Sequence, residues 1–179
     1  HSVTYGNGMF VAVAYSGTNR FITSRYGSTL TLRNASEASS WQSVTYGNGM
    51  FVSVAYSGTN RVMTSTNGIS WTSRVISPAP ALYSVAYGNG LFVAVSSTNS
   101  SSFYSYDGIN WNQGISMLYQ NRINFIDNLF ISIGGVSNSG IRISPDGIIW
   151  TYKTSPSNNL YSITSANGTF VAVGNNITL

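Results

Sequence analysis

The sequence predicts an all-β protein, a β-propeller of four-stranded antiparallel blades, and three observations carry that expectation. The first is a repeat. Tyr5-Gly6-Asn7-Gly8-Met9-Phe10-Val11-Ala12-Val13 returns at positions 46–54 and 87–95, with worn copies at 125–133 and 165–173. Its phenylalanines, Phe10, Phe51, Phe92, Phe130 and Phe170, are spaced 41, 41, 38 and 40 residues apart, and a fixed period of this length marks a repeat architecture. The second is punctuation: paired Asn-Gly or Asp-Gly dipeptides cut the second and third repeats into short segments joined by tight turns. The third is the run Phe-Val-Ala-Val, apolar at consecutive positions. A strand with one wet face alternates, so this strand is buried on both faces, as in a sheet stacked between two others.

The second repeat shows the elements. Ser43-Val44-Thr45-Tyr46 is strand A, and Asn48-Gly49 supplies a type I′ turn. Strand B runs from Met50 to Ala55. The looser Tyr56-Ser57-Gly58-Thr59-Asn60 leads to strand C, Arg61 to Ser65, and Asn67-Gly68 makes a second tight turn. Strand D begins near Ser70-Trp71 and runs to about Ile76, and Ser77-Pro78-Ala79-Pro80 links it to the next repeat. Four strands in about 41 residues with short connections form an antiparallel meander. The first repeat replaces the C–D turn by Ser24-Arg25-Tyr26-Gly27 and puts Leu30 where the second has Trp71; Trp41 falls in its D–A link. The fourth reads Asp127-Asn128 at its A–B turn. The fifth ends after Ile177-Thr178-Leu179, a stub of strand C. The expected organisation is one domain, 1–179, with repeats at about 1–42, 43–83, 84–121, 122–160 and a partial 161–179. Five blades closing on themselves, the last incomplete, is the favoured reading, because an open ring would expose apolar blade faces. The alternative is a piece of a larger ring completed by further blades or another chain.

Composition excludes several function classes. Charged residues make up 7% of the chain and the net charge of +4 comes from eight basic and four acidic residues. With no Lys/Arg runs there is no phosphate-tracking surface, so no nucleic-acid partner is expected. The absence of cysteine rules out disulfides and thiolate metal sites. No stretch is long and apolar enough for a membrane span. A surface of Ser, Thr, Asn and Tyr with few charges correlates with extracellular and virion or cell-surface proteins, and that is the expected location. Formal glycosylation sequons start at Asn34, Asn99, Asn167 and Asn176, but chance supplies several in so Asn- and Ser-rich a chain.

The C–D turn recurs as Ser65-Thr66-Asn67-Gly68-Ile69-Ser70-Trp71, Ser105-Tyr106-Asp107-Gly108-Ile109-Asn110-Trp111 and Ser144-Pro145-Asp146-Gly147-Ile148-Ile149-Trp150. Ser-x-Asp-Gly-x-x-Trp resembles the Asp-box of sialidase-type (BNR-like) propeller repeats, without the residue that commonly separates Asp from Gly. The whole unit is similar to short propeller repeats of bacterial and phage surface proteins. The resemblance implies a propeller, and it raises the question of a sialidase-like hydrolase. Such a site needs an arginine cluster, a tyrosine nucleophile with a glutamate, and an acidic proton donor. The one glutamate is Glu37 in a loop, Asp107 and Asp146 belong to turns, and only Asp127 remains. No Ser/His/Asp set forms around the sole histidine, His1. No catalytic residue, cofactor or metal site is therefore expected. The aspartates read as turn staples, since one oxygen per turn does not coordinate calcium.

Binding is expected on the longer, more varied connections, B–C and D–A, which share one face of the ring. The candidate ligand-binding residues are Tyr15, Ser16, Thr18, Asn19 and Arg20 in the first B–C loop and Tyr56, Ser57, Thr59, Asn60 and Arg61 in the second. Trp41, Tyr83, Tyr119 and Tyr161 join them from the D–A links. Neutral hydrogen-bonding groups beside flat aromatic faces suit sugars, and two near-identical loops on adjacent blades would act multivalently on a repeated glycan. The expected function is a non-catalytic module for a glycan or surface receptor. A structural propeller mediating protein contacts, including a designed or truncated repeat protein, and a sialidase-like remnant are the alternatives.

Overall fold

Each of the first four repeats folds into one antiparallel meander, the described residues of the fifth form a hairpin, and the sheets stack side by side. The computed structural model describes residues 1–96, 101–117, 119–134, 140–155 and 159–175. The expected strand stub at 177–179, the sequons at Asn99 and Asn176, and most of the third and fourth B–C loops lie outside the described residues. The first sheet holds β1 (Ser2–Gly6), β2 (Met9–Val13), β3 (Phe21–Ser24) and β4 (Thr31–Arg33). The second holds β5 (Trp41–Gly47), β6 (Met50–Ala55), β7 (Val62–Ser65) and β8 (Thr72–Arg74). The third holds β9 (Leu82–Gly88), β10 (Leu91–Ser96), β11 (Ser101–Ser105) and β12 (Asn112–Ser116). The fourth holds β13 (Gln120–Ile126), β14 (Leu129–Gly134), β15 (Ile141–Ser144) and β16 (Thr151–Lys153), and a two-stranded fifth holds β17 (Asn159–Ala166) and β18 (Thr169–Asn175). Strands pair in chain order within each sheet. The described residues contain no helix.

The A–B turns carry the φ values a type I′ hairpin requires: 48° and 73° at Asn48 and Gly49, and 49° and 64° at Asp127 and Asn128. The worn fourth turn thus keeps its shape, because Asp and Asn tolerate the left-handed region. Strand D is shorter than the sequence indicates and starts after Trp71, whose ring is drawn off the sheet. Strand A is longer. It begins at Trp41, with a register shift between Trp41 and Ser43, so this tryptophan opens a strand instead of lying in a link.

The core lies between the sheets. Val11, Val13 and Phe21 of the first sheet pack with Trp41, Val44, Phe51 and Met63 of the second. Val52, Val54 and Val62 then pack with Leu82, Val85, Phe92 and Phe103. The box tryptophan is a wedge between sheets: the Trp71 ring lies 4.4 Å from Phe21 and 6.4 Å from Phe51 of its own sheet. Gly68 packs against the preceding sheet too, since a Cβ there would meet Val11 at 2.7 Å; Gly108 and Gly147 have the same relation to Val52 and Val93.

Two further contacts set the step between inner strands. A Cβ on Gly6 would lie 2.0 Å from the Tyr46 ring, on Gly47 2.0 Å from Tyr87, and on Gly88 2.2 Å from Phe125. At these three steps the aromatic ring of the inner strand sits where the preceding strand has no side chain. A serine caps the inner strand's free edge: the Val44 amide donates to Ser2 Oγ at 3.2 Å, Val85 to Ser43 and Ile123 to Ser84, each also at 3.2 Å. Free sheet edges invite foreign strands, and these hydroxyls occupy them.

The sheets do not close into a ring. The first leaves Val3 65% and Tyr5 56% exposed, and the fifth leaves Val171 54% and Val173 55% exposed. The expectation of closure at five is corrected accordingly, since the step fixed by these contacts leaves both end sheets with one bare apolar face. Double burial of strand B holds for β6, β10 and β14, while β2 and β18 each expose a phenylalanine, Phe10 and Phe170.

The first two hairpins are almost the same peptide. Residues 2–20 and 43–61 differ only at Ala12 and Ser53. The Ser53 hydroxyl donates to the Ser43 carbonyl at 3.0 Å inside the sheet.

Gly47→Ala is expected to cost about 1–3 kcal/mol by overpacking, read as a lower urea midpoint. Combining it with Tyr87→Ser should recover part of that loss. The fourth and fifth sheets already use this exchange, with Ile126 in the glycine position and Ser165 in the aromatic one.

Candidate functional site

The two faces of the arc differ in how much of their chemistry is committed to the fold. On one face lie the A–B and C–D turns, which also stitch neighbours together: Asn7 Nδ2 donates to the Thr66 carbonyl at 3.2 Å and Asn89 Nδ2 to Pro145 at 3.1 Å. Within each box the geometry repeats. Asp107 Oδ1 accepts the backbone N–H groups of Ile109 and Asn110, both at 2.8 Å, and the Ser105 hydroxyl at 3.0 Å. Trp111 Nε1 donates to the Gly108 carbonyl at 3.1 Å. Asp146 is held in the same way, and Asn67 does the same work uncharged. Partial burial pushes the Asp107 carboxyl up. The Asn110 and Ile109 amides, the Asn110 side chain and Ser105 more than reverse this and hold it well below the usual carboxylate range. Asp146 is lowered by the same balance of burial against hydrogen bonds.

On the opposite face the B–C loops and D–A links meet. Arg20 Nη1 donates to the carbonyls of Tyr15 at 3.0 Å and Ser39 at 2.8 Å. Arg61 Nη1 donates to Tyr56 at 2.7 Å and Pro80 at 3.0 Å, with Nε on Gly58 at 2.9 Å. Each arginine therefore clasps its loop to the following link. Asn60 is committed too: its backbone and side-chain amides both donate to the Glu37 carboxylate. Burial pushes the Glu37 carboxyl up, and the bonds from Asn60 and Ser73 lower it below its ordinary value. Ser57 Oγ donates to Ser40 Oγ at 2.8 Å. Ser16, Thr18 and Thr59 are exposed and Asn19 is half-buried.

The aromatic candidates divide. Trp41, expected at the surface, is 0% exposed, with its ring 6.0 Å from Phe21 in the core; a register shift turns it inward. Tyr15 packs on the His1 ring at 5.7 Å, and Tyr56 meets Tyr83 edge-on at 5.3 Å. Tyr119 and Tyr161 are 48% and 53% exposed. Tyr83 and Tyr161 come together at the mouth of the central channel, where Gln42, Asn121 and Arg122 join them around a cavity of about 160 Å³. The channel itself has a volume of about 500 Å³ and is lined by inner-strand residues of all five sheets. Sequence reading missed Gln42, Asn121 and Arg122. A signal existed for Arg122, which stands where the other four repeats have Ser2, Ser43, Ser84 and Ser162.

No protein-family model and no curated protein matches the chain. Solved structures do match, and they have β-propeller-like folds. A streptogramin B lyase is 11% identical with a TM-score of 0.82, over 97% of this chain and 61% of that one. Virginiamycin B lyase from Staphylococcus aureus is 13% identical with a TM-score of 0.81, over 97% and 62%. YCF48 bound to D1 peptide is 16% identical with a TM-score of 0.67, over 97% and 60%. At these identities the likeness is one of fold, and the chain spans about three fifths of the length of these proteins.

Two outcomes are expected. Arg61→Ala removes three backbone clasps and should lower stability by about 1–3 kcal/mol, measured by thermal melting. The Asp107 and Asp146 carboxyls have lowered values in the fold, so their contribution is present above the unfolded value of about 4 and is lost as pH falls below it. Asp107→Asn, matching Asn67, should fold normally and flatten part of the acid-side loss in a pH series of urea midpoints.

Proposed function

We propose that this chain is a non-catalytic binding module, and that it presents the mouth of its central channel to a surface glycan at an extracellular or virion surface. One observation carries the reading. Tyr83 and Tyr161 converge with the amides of Gln42 and Asn121 around a small open cavity. Flat rings beside neutral donors and acceptors match the C–H faces and hydroxyls of a sugar. The first two B–C loops, by contrast, serve as scaffold, because their arginines and Asn60 are engaged with backbone carbonyls and Glu37. No acid/base pair supports hydrolysis: Asp107 and Asp146 are committed to turns on the opposite face, and Glu37 is held by Asn60.

A second reading, a propeller that mediates protein contacts, is favoured by a different observation. The end sheets expose Val3, Tyr5, Phe10, Val171 and Val173, and apolar patches of this kind mark contact surfaces. YCF48, solved with a D1 peptide, is one of the fold neighbours.

A glycan array tests the first reading. Tyr83→Ala and Tyr161→Ala should each abolish or weaken array binding by about tenfold or more while melting like the parent chain. Silence across the array for the parent, with concentration-dependent self-association or protein capture through the end sheets, would replace it by the second.

A further inference from the structure

The fourth sheet breaks the rule that ties the inner strands together, and it breaks it inside the channel. At the first three steps a serine accepts the next inner strand's outward amide: Ser2 from Val44, Ser43 from Val85, Ser84 from Ile123. In register terms Ile163 is the fifth sheet's equivalent of Val44, since it faces Ala172 as Val44 faces Ser53. The residue that should cap it is Arg122. Arginine has no acceptor, so no serine hydroxyl reaches the Ile163 amide. The Ile163 carbonyl has a substitute partner in Asn124 Nδ2 at 3.5 Å; the amide has none among the described side chains. Arg122 itself is exposed, and among the described residues no side chain or carbonyl holds its guanidinium, unlike Arg20, Arg61, Arg33 and Arg74.

This exchange replaces a structural tie by two donors that no side chain among the described residues engages. Arg122 and Ile163 line the same channel, at a step where three others hold a donor and an acceptor. Arg122 is also the one charged side chain among the described residues lining the channel, and it lines the mouth cavity as well. Two donors with one positive charge and no acceptor complement an anionic oxygen pair. Asn121 lines the mouth cavity beside Arg122.

The geometry points to a carboxylate-binding subsite formed by Arg122 and the Ile163 amide, reading the acidic group of a uronic-acid unit whose ring lies against Tyr83 and Tyr161. The assignment to a sugar rests on the glycan reading above; the anion subsite itself does not. A peptide strand fits less well, because strand addition needs a run of free edge groups and at this step the Ile163 carbonyl already accepts from Asn124.

The test uses the whole chain with trigalacturonate and its methyl ester as probes, followed by calorimetry and by amide NMR. The acid should bind about 10- to 100-fold more tightly than the ester, with the Ile163 amide proton moving downfield. Arg122→Ser restores the serine of the other repeats, so it should fold and melt at least as well as the parent. It should lose the preference for the acid. Equal binding of acid and ester, undiminished binding by Arg122→Ser, or no uronate binding at all would each overturn the inference. If neutral glycans bind through Tyr83 and Tyr161 regardless of Arg122, the binding-module reading stands and the subsite falls. If instead a peptide with a free C-terminal carboxylate binds, and amidation or Arg122→Ser abolishes it, the sugar assignment is overturned and the anion subsite is kept.

Discussion

The structure depends on how closely two inner strands approach. Gly6, Gly47 and Gly88 lack the atom that would collide with Tyr46, Tyr87 and Phe125, and the ring that fills this space sets the distance between sheets. The serine on the same strand then fixes rotation by closing a hydrogen bond to the neighbour's edge. Distance and rotation together leave one gap width, which Val, Phe and the box tryptophan fill. With so few charges in the chain, little else orients one sheet against the next. Stability resides between the blades, and a sheet taken alone has almost no core of its own.

That placement explains which features were legible in the sequence. The turns were, because Asn48-Gly49 and Ser65-x-Asn67-Gly68 are closed by atoms two or three residues apart. The doubly apolar strand B was as well, since Val52 and Phe51 need neighbours on both sides. Trp41 was not. Its burial follows from a shift in pairing with β6, which no local pattern records. Nor were the roles of Arg20 and Arg61, whose acceptor carbonyls include one 19 residues further along the chain. Closure was illegible for a related reason: the angle between sheets comes from Gly–Tyr packing across repeats, and the repeat length does not contain it.

The candidate site follows the same logic from the other side. Residues that recur at every step, such as Ser2, Ser43 and Ser84, are used by the scaffold. Residues that interrupt the recurrence are released from it. Arg122 interrupts it with a change of charge, and Ile126 and Ser165 interrupt it with a compensated change of volume. Only the first leaves chemistry unspent. Aromatic content on a variable face, which first drew attention to Tyr15 and Tyr56, is a weaker guide, because rings there also pack on one another.

The duplicated hairpin has a consequence for how the chain reaches this fold. Because 2–20 and 43–61 are the same peptide apart from Ala12 and Ser53, β1 with β2 and β5 with β6 compete for equivalent docking places during folding. Native and exchanged arrangements are then nearly isoenergetic locally, which roughens the landscape and favours strand exchange between molecules at high concentration. What separates them is small and specific: the buried hydroxyl of Ser53 on the Ser43 carbonyl, which Ala12 cannot supply. Fidelity of assembly between these two hairpins thus turns on one oxygen atom.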